Sequence, residues 1–497
     1  MLLVTAALKA QTFNILDYGA KPGQKSTMAI QKAVNACHEA GGGTVVVPAG
    51  KFITGTIELK SYVHLQLQQG SILEGSLDLS DYSESFRRNG IFYCYDAEEV
   101  SVTGPGVIHA RGKEFLDTTK NHVYDEFDKS VVRQGEDYMP TGQFYSDGPL
   151  KKLPKPGQTM TFYHCSNITL KDFTIKDTPS WAIRVAYSDG IHISGLSIYN
   201  NLMAPNSDGI HFTTSRNAVV SDCDIRAGDD AIIVTGFSLD EETPGYDLKA
   251  QNLRTYGNKT AYAENISVTN CQLQSRSAGI RIGYGQHPIR RCTFNNINIY
   301  ESNRGIGVFA HDASDIEDLV FSNFTIQTRL HNGQWWGNGE PIHLSAISRF
   351  SGEPAGTIRR VQFNNILATS EHGILVYGQE SSVLENISFT NIDLKIVSGR
   401  ETLAYGGNFD LRPASPIAKQ LFEHDIPAIY AQYVDNLRFN GISVSWGDDL
   451  PQFFTYALEC DYVKSLQTQQ LSGTANPSSG LENPFRLKNT HYLNPKP

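Results

Sequence analysis

Apolar residues recur along most of this chain in short alternating runs, as in Ile210-His211-Phe212, Ile232-Ile233-Val234 and Ile280-Arg281-Ile282, and not at helical spacing. A period of two is what a strand with one face in a core requires. Many of the runs open on one phrase: Asp208-Gly209-Ile210, Asp230-Ala231-Ile232, Ala278-Gly279-Ile280, Arg304-Gly305-Ile306 and His372-Gly373-Ile374, with Asp189-Gly190-Ile191 as a further copy upstream. Asp230 follows Asp208 by 22 residues. A second phrase, Asn167-Ile168, Asn265-Ile266, Asn295-Asn296-Ile297, Asn364-Asn365-Ile366 and Asn386-Ile387, runs beside the first. Repeats of this length built from short strands predict a solenoid whose units bury their apolar faces only by stacking. The predicted fold is all-β: a parallel β-helix forming one elongated domain over residues 11–465, with 466–497 as a C-terminal cap or tail.

The segment Ser26–Ala40 departs from this pattern. Its apolar residues are spaced by three and four, Ser26 or Thr27 stands at the N-cap position, and Gly41-Gly42-Gly43 ends the run. This predicts an amphipathic helix covering the apolar opening of the first coil, because end units of a solenoid need a polar outer face. Strands are expected at Thr44–Val47, Val63–Leu67 and Val100–Ile108. Three stretches interrupt the repeat: Ala110–Gln158, Phe237–Asn258 and Leu330–Pro341. Insertions of this kind gather on one face, often the binding face. The last carries Trp335-Trp336, which suit either packing against a sugar ring or anchoring the loop.

Composition narrows the partner. A formal charge of −10 with no run of Lys or Arg argues against nucleic acid and against an anionic membrane. Past the first ten residues no stretch approaches the roughly 20 apolar residues of a membrane span. Met1–Ala10 resembles the end of a secretory signal peptide, so a secreted or periplasmic monomer is expected. Seven cysteines without a Cys-x-x-Cys pair read as buried thiols, not as a disulfide framework or a zinc site. The Asn-x-Ser/Thr sequences at Asn167, Asn265 and Asn386 fall at one place in the repeat, which predicts a stacked Asn ladder.

Three carboxylates carry the candidate chemistry. In a parallel β-helix, residues one repeat apart stand about 4.8 Å apart in neighbouring strands, which makes Asp208 and Asp230 stacked neighbours with Asp229 adjacent. Regular alternation would point Asp229 and Asp230 apart, so a bend at Gly228 is expected. Crowded carboxyls couple, and one is driven toward its protonated form. A protonated acid beside an ionised base is what glycosidic cleavage uses, with no cofactor and no metal. Two other chemistries fit the same residues. In a lyase or epimerase, the Asp groups would hold calcium and Arg281 or Arg304 would be the base; in a non-catalytic carbohydrate-binding β-helix they would only hydrogen-bond sugars.

The opening from FNILDYGAKPG to QQGSILEGS, the segment GPGVIHARGKEF, and then TPSWAIRV, NSDGIHF and GDDAI, in this order, resemble glycoside hydrolase family 28, the polygalacturonase and rhamnogalacturonan hydrolase group. The resemblance runs from Phe13 to about Gly307. It implies a right-handed parallel β-helix and hydrolysis of pectic glycosides with inversion. It further implies Asp229 as the general acid, Asp208 and Asp230 as the pair that positions and deprotonates water, and Asn206 as the residue orienting the cluster. Two family motifs are missing: Ser277-Ala278-Gly279 stands for Gly-His-Gly, and Gly307-Val308-Phe309 for the Arg-Ile-Lys that grips a uronate. Both losses predict a pectic or related acidic substrate other than plain polygalacturonan. Arg281, Arg304, His211 and His372 are candidate replacements in substrate binding, Arg304 foremost because it shares the column of Asp208 and Asp230. Glu340 is a candidate for that column too.

Overall fold

The computed structural model describes residues 11–84, 89–122, 144–238, 261–415 and 421–493. Met1–Ala10 and nearly all of Phe237–Asn258 lie outside these residues, as do 123–143 of the first insertion. The chain is a right-handed parallel β-helix. A representative coil comprises Ile183–Ala186, Asp189–Ser194 and Ser197–Tyr199, and each strand pairs in parallel with its counterpart in the next coil, Ile210–Thr213, Arg216–Ser221 and Asp224–Ala227. Toward the C-terminus the second and third strands fuse into longer ones such as Ala263–Ser275 and Ile358–Ser370.

Stacking fills the interior with like residues. Phe294, Phe321, Phe363, Phe389 and Phe439 form one column with ring centroids 4.9, 4.9, 5.0 and 5.3 Å apart, which is the strand spacing itself. The predicted Asn ladder exists: Asn265 donates to Asn217 at 2.9 Å, with both backbones in the left-handed region that Asn tolerates. The helix is Thr27–Glu39, and it buries Ala29, Ile30, Ala33, Val34 and Cys37 against the first coil. All seven cysteines are buried free thiols. Among the described residues no helix is long and apolar enough to cross a membrane.

Two expectations change. Asp189 does not share the column of Asp208: it lies on a different sheet, where Arg216 donates to it at 2.8 Å. There it begins a ladder of alternating charge, Asp189, Arg216, Glu264, Arg290, Glu317 and Arg359, on successive strands. The coil before Asp208 contributes Trp181-Ala182-Ile183 instead. The solenoid also continues past residue 465. Leu466–Ser472 pairs with Ile429–Trp446 and Phe485–Lys488 with Leu458–Val463, because Leu466, Leu471 and Phe485 still supply inward side chains where the repeat phrase has faded.

Candidate active site

One sheet of the solenoid, running through Ile183–Ala186, Ile210–Thr213, Ile232–Gly236, Ala278–Gly285, Arg304–Phe309 and Ile342–Ser345, turns its outer face and leading edge into the site. Backbone bonds along that edge fix the column. Ala182 N–H donates to Asp208 O, Gly209 N–H to Asp230 O, Ala231 N–H to Ala278 O, and Gly305 N–H to Glu340 O, all at 2.8 to 3.0 Å. Trp181, Asp208, Asp230, Ala278, Arg304, Glu340 and His372 therefore follow one another coil by coil, and Glu340 joins the column as expected.

Asp229 and Asp230 occupy the turn between Asp224–Ala227 and Ile232–Gly236, so strand alternation does not bind them and no bulge is needed. Gly228 makes the turn fit. A Cβ there would come within 2.3 Å of Ala204 O, and its N–H donates to Ser207 Oγ at 3.0 Å. Asn206, with φ 58°, aims both its backbone N–H and its Nδ2 at Asp229 Oδ2, at 3.2 and 3.1 Å. Asp229 Oδ1 accepts from Asp230 N–H at 3.1 Å. Asp230 accepts from Ala278 N–H at 2.9 Å through Oδ1, and its Oδ2 is bonded to the Arg281 guanidinium.

The three carboxyls are buried, and their charges are divided unevenly. Burial, then the neighbouring Asp230, pushes Asp229 up to about 7. Burial, followed by Asp229 and Asp230, drives Asp208 well above the usual carboxylate range. Burial alone would weaken the Arg281 guanidinium, but Asp230 and then Tyr284 hold it above its ordinary value, and its plane lies 5.1 Å from the Tyr284 ring. Asp230 is thus the carboxylate bonded to the cation, while burial and the neighbouring carboxylates drive Asp208 and Asp229 toward their protonated forms. His211 is fully buried, stacked on Trp181 at 4.0 Å, with Nε2 3.1 Å from Thr235 Oγ1 and Nδ1 3.8 Å from Asp208.

The candidate cations separate. Arg281, one residue past the inward Ile280, reaches back to Asp230 and supplies positive charge where the missing family histidine leaves only the Ala278 N–H. Arg304 does not stand free for substrate. It is buried between Glu340 at 3.3 Å and Asp410 at 3.6 Å, with its guanidinium 5.0 Å from the Phe309 ring. Counting coils located its backbone but not the Asn408–Asp410 strand that encloses its side chain. Arg304→Ala is therefore expected to cost roughly 3–5 kcal/mol of stability, since it takes the cation from fully buried Glu340, whereas Asp410 keeps Arg412. Urea unfolding of the variant at unchanged stability would return Arg304 to the substrate-facing role.

The Trp loop resolves toward anchoring. Trp335 is buried and donates from Nε1 to Asp147 O at 2.8 Å, while half-buried Trp336 has the Arg412 guanidinium 5.2 Å from its ring. His372 is also buried, its Nε2 3.1 Å from Asn408 O. Asp147 belongs to the first insertion and binds Arg276 at 2.7 Å and His331 at 2.8 Å, which joins that insertion to the Trp loop. Its hairpin, Leu116–Asn121 with Leu150–Lys152, then runs back to the carboxylates, where Lys152 Nζ donates to Asn206 Oδ1 at 2.6 Å. Burial lowers Lys152, and burial with Lys152 close by lowers Lys155 to about 8. Neither lysine nor Trp181 was a candidate from the sequence. The available signal was Lys-Leu-Pro-Lys-Pro at the end of an insertion already marked as functional.

The profile of glycosyl hydrolases family 28 matches residues 37–311, more than half of the chain. This chain belongs to that family. It is 28% identical over 274 residues to a probable polygalacturonase of Arabidopsis thaliana, covering 52% of this chain and 53% of the relative. It is 26% identical over 297 residues to a polygalacturonase of Malus domestica, covering 56% and 57%. The chain thus spans about half the length of these relatives. The solved family 28 exopolygalacturonase of Yersinia enterocolitica has the same fold, with a TM-score of 0.61 at 18% identity, over 98% of this chain and 79% of that one.

Proposed function

We propose that this protein is an inverting glycoside hydrolase acting on a pectic or related acidic saccharide. The observation that carries the reading is the unequal partnering of three clustered, buried carboxyls: Asp229 accepts from Asn206 and is pushed up to about 7 by burial and Asp230, while Asp230 is bonded to the Arg281 guanidinium and the Ala278 N–H. Asp229, protonated, delivers its proton to the glycosidic oxygen as the bond to the anomeric carbon breaks. Asp230, ionised, takes a proton from the water that attacks the opposite face, and Asp208 one coil earlier orients that water. Asn206, donating twice to Asp229 Oδ2, fixes the acid's direction. The reaction is complete with two carboxyls and one water.

The lyase reading requires an unprotonated Arg281 or Arg304. Acidic partners raise both above the ordinary guanidinium value, although burial acts the other way, which disfavours either as a base. Arg281 also already neutralises Asp230, the charge that calcium would need. Attack at a chain end is the mode inferred from the long insertions, of which the first and the Trp loop are tied together at Asp147.

The substrate follows from what replaces the missing motifs. Gly307 and Phe309 provide no cation where Arg-Ile-Lys would grip a uronate, so unsubstituted polygalacturonan is expected to be cleaved poorly beside branched or rhamnose-containing pectic oligosaccharides. Reducing-sugar release across such a panel measures this, and proton NMR of the first product reports the anomer. Rapid release of galacturonate from the plain polymer would remove the substrate inference. Retention at the anomeric carbon would remove the mechanism, and an ultraviolet-absorbing unsaturated product would restore the lyase.

A further inference from the structure

Beside the three carboxyls lies a buried imidazole that the reaction above does not use. His211 follows Asp208 by three residues, on the strand Ile210–Thr213, and is fully withdrawn from water. Trp181, from the preceding coil of the column, stacks on the ring at 4.0 Å and sets its plane. Nδ1 then faces Asp208 Oδ2 at 3.8 Å, and Nε2 lies 3.1 Å from Thr235 Oγ1 in the following coil.

The neighbouring groups decide where the imidazole proton sits. The Thr235 hydroxyl has one proton, which it gives to Phe212 O at 3.3 Å or to Thr213 Oγ1 at 3.4 Å, so toward His211 it accepts. That puts the ring proton on Nε2 and turns the Nδ1 lone pair to Asp208. A second ring proton would add a cation to a column that already holds Arg184 one strand before His211 and Arg281 two strands after it. Asp208 is driven toward its protonated form by burial and then by Asp229 and Asp230. Its Oδ1, buried as well, has no hydrogen-bond partner among the described residues.

A protonated carboxyl beside the attacking water has two ways to meet it. Turning its O–H to the water occupies the lone pair needed for attack; turning its carbonyl oxygen accepts a water proton and leaves that lone pair free. We propose that His211 makes this choice: its Nδ1 accepts the proton of Asp208 Oδ2 and leaves Oδ1 to accept from the water that Asp230 deprotonates. The separation of 3.8 Å is roughly 1 Å longer than a hydrogen bond, and catalytic contacts of this kind tighten when substrate and water enter. His211 is thus a positioning residue that acts through Asp208 and does not hold the sugar. This rests on the hydrolase reading and adds to it how Asp208 orients the water.

One arm of the test needs no hydrolysis. Nitrogen-15 NMR of the full chain labelled at histidine, with the His211 signals identified by their loss in His211→Asn, should report a proton on Nε2 and a bare Nδ1. A proton on Nδ1, or on both nitrogens, overturns the proposal. The kinetic arm uses the member of the pectic panel that wild type cleaves fastest, at a temperature where every variant is folded. His211→Gln reaches toward Thr235 but has no acceptor at the Nδ1 position, so kcat should fall at least about tenfold, the loss of one hydrogen bond, with KM nearly unchanged. His211→Asn, whose side-chain oxygen stands near the Nδ1 position, should recover most of that loss. In an Asp208→Ala background His211→Gln should cost nothing further, because its effect passes through that carboxyl. Equal losses in the Gln and Asn variants, an effect on KM alone, or additive losses in the double variant would each overturn the assignment. If wild type hydrolyses no member of the panel, the hydrolase reading falls and the water-orienting role with it, while the tautomer still reports whether Nδ1 is free to hold the Asp208 proton.

Discussion

Asp229→Asn is expected to lose about 10²–10⁴ in turnover, the usual contribution of a general acid, while melting and glycan binding stay close to wild type. The amide keeps the shape and its oxygen can still accept from both Asn206 donors, while its NH2 stands where Oδ1 accepted from the Asp230 N–H, and it has no acidic proton to give. The pH dependence follows from the same residue. The proposed mechanism needs protonated Asp229, so the wild-type rate should decline as pH rises through about 7, and the residual rate of the variant should lack that limb. Stability moves the same way. An acid raised in the folded state holds its proton there after the unfolded chain has released it, so its favourable contribution is complete below about pH 4 and is lost as pH rises to about 7. The Asn variant should show a flatter stability profile across that window. A variant with wild-type turnover would move the acid to Asp208, the other carboxyl that burial drives toward protonation.

What was legible in the sequence is what repeats. Once per coil the chain passes the same edge, so a phrase ending on an inward Ile places Asp208, Asp230, Ala278 and Arg304 in one column without further information. The phrase misled where its letters outran its geometry. Asp189-Gly190-Ile191 has the same spelling on another sheet, and Trp181-Ala182-Ile183 holds the right position without an Asp. Side-chain reach was not legible either. Arg281 lies off the column by three residues, yet its length carries it to Asp230, whereas Arg304 lies in the column and is enclosed by Glu340 and Asp410. Nor were the lysines, because no period relates an insertion to the coil on which it lands. Lys152 meets Asn206 across 54 positions of chain through a hairpin that the repeat cannot foresee.

The second large effect is expected at Arg281. Its guanidinium and the Ala278 N–H are the described partners of the Asp230 carboxylate, one on each oxygen, and the guanidinium is also held by Gly283 O at 2.9 Å over the Tyr284 ring. Arg281→Met keeps much of the volume and removes the charge. A buried ion pair broken from one side typically costs about 3–5 kcal/mol, because the remaining carboxylate is left without compensation. The catalytic loss should exceed what that destabilisation explains. Without the cation the crowded carboxyls retain a further proton, the base is lost to the reaction, and turnover should fall by at least about 10²-fold at a pH where the variant is still folded. Two measurements separate fold from chemistry. Combining Arg281→Met with Asp230→Asn should recover much of the stability, since a neutral amide needs no cation, but none of the activity. Added guanidinium, a small cation able to enter the vacated space, should restore part of the rate of the single variant and nothing to the double one. If Arg281→Met instead kept its turnover and lost only substrate affinity, Arg281 would be a sugar ligand, and the charge that makes Asp230 the base would have to come from elsewhere in the cluster.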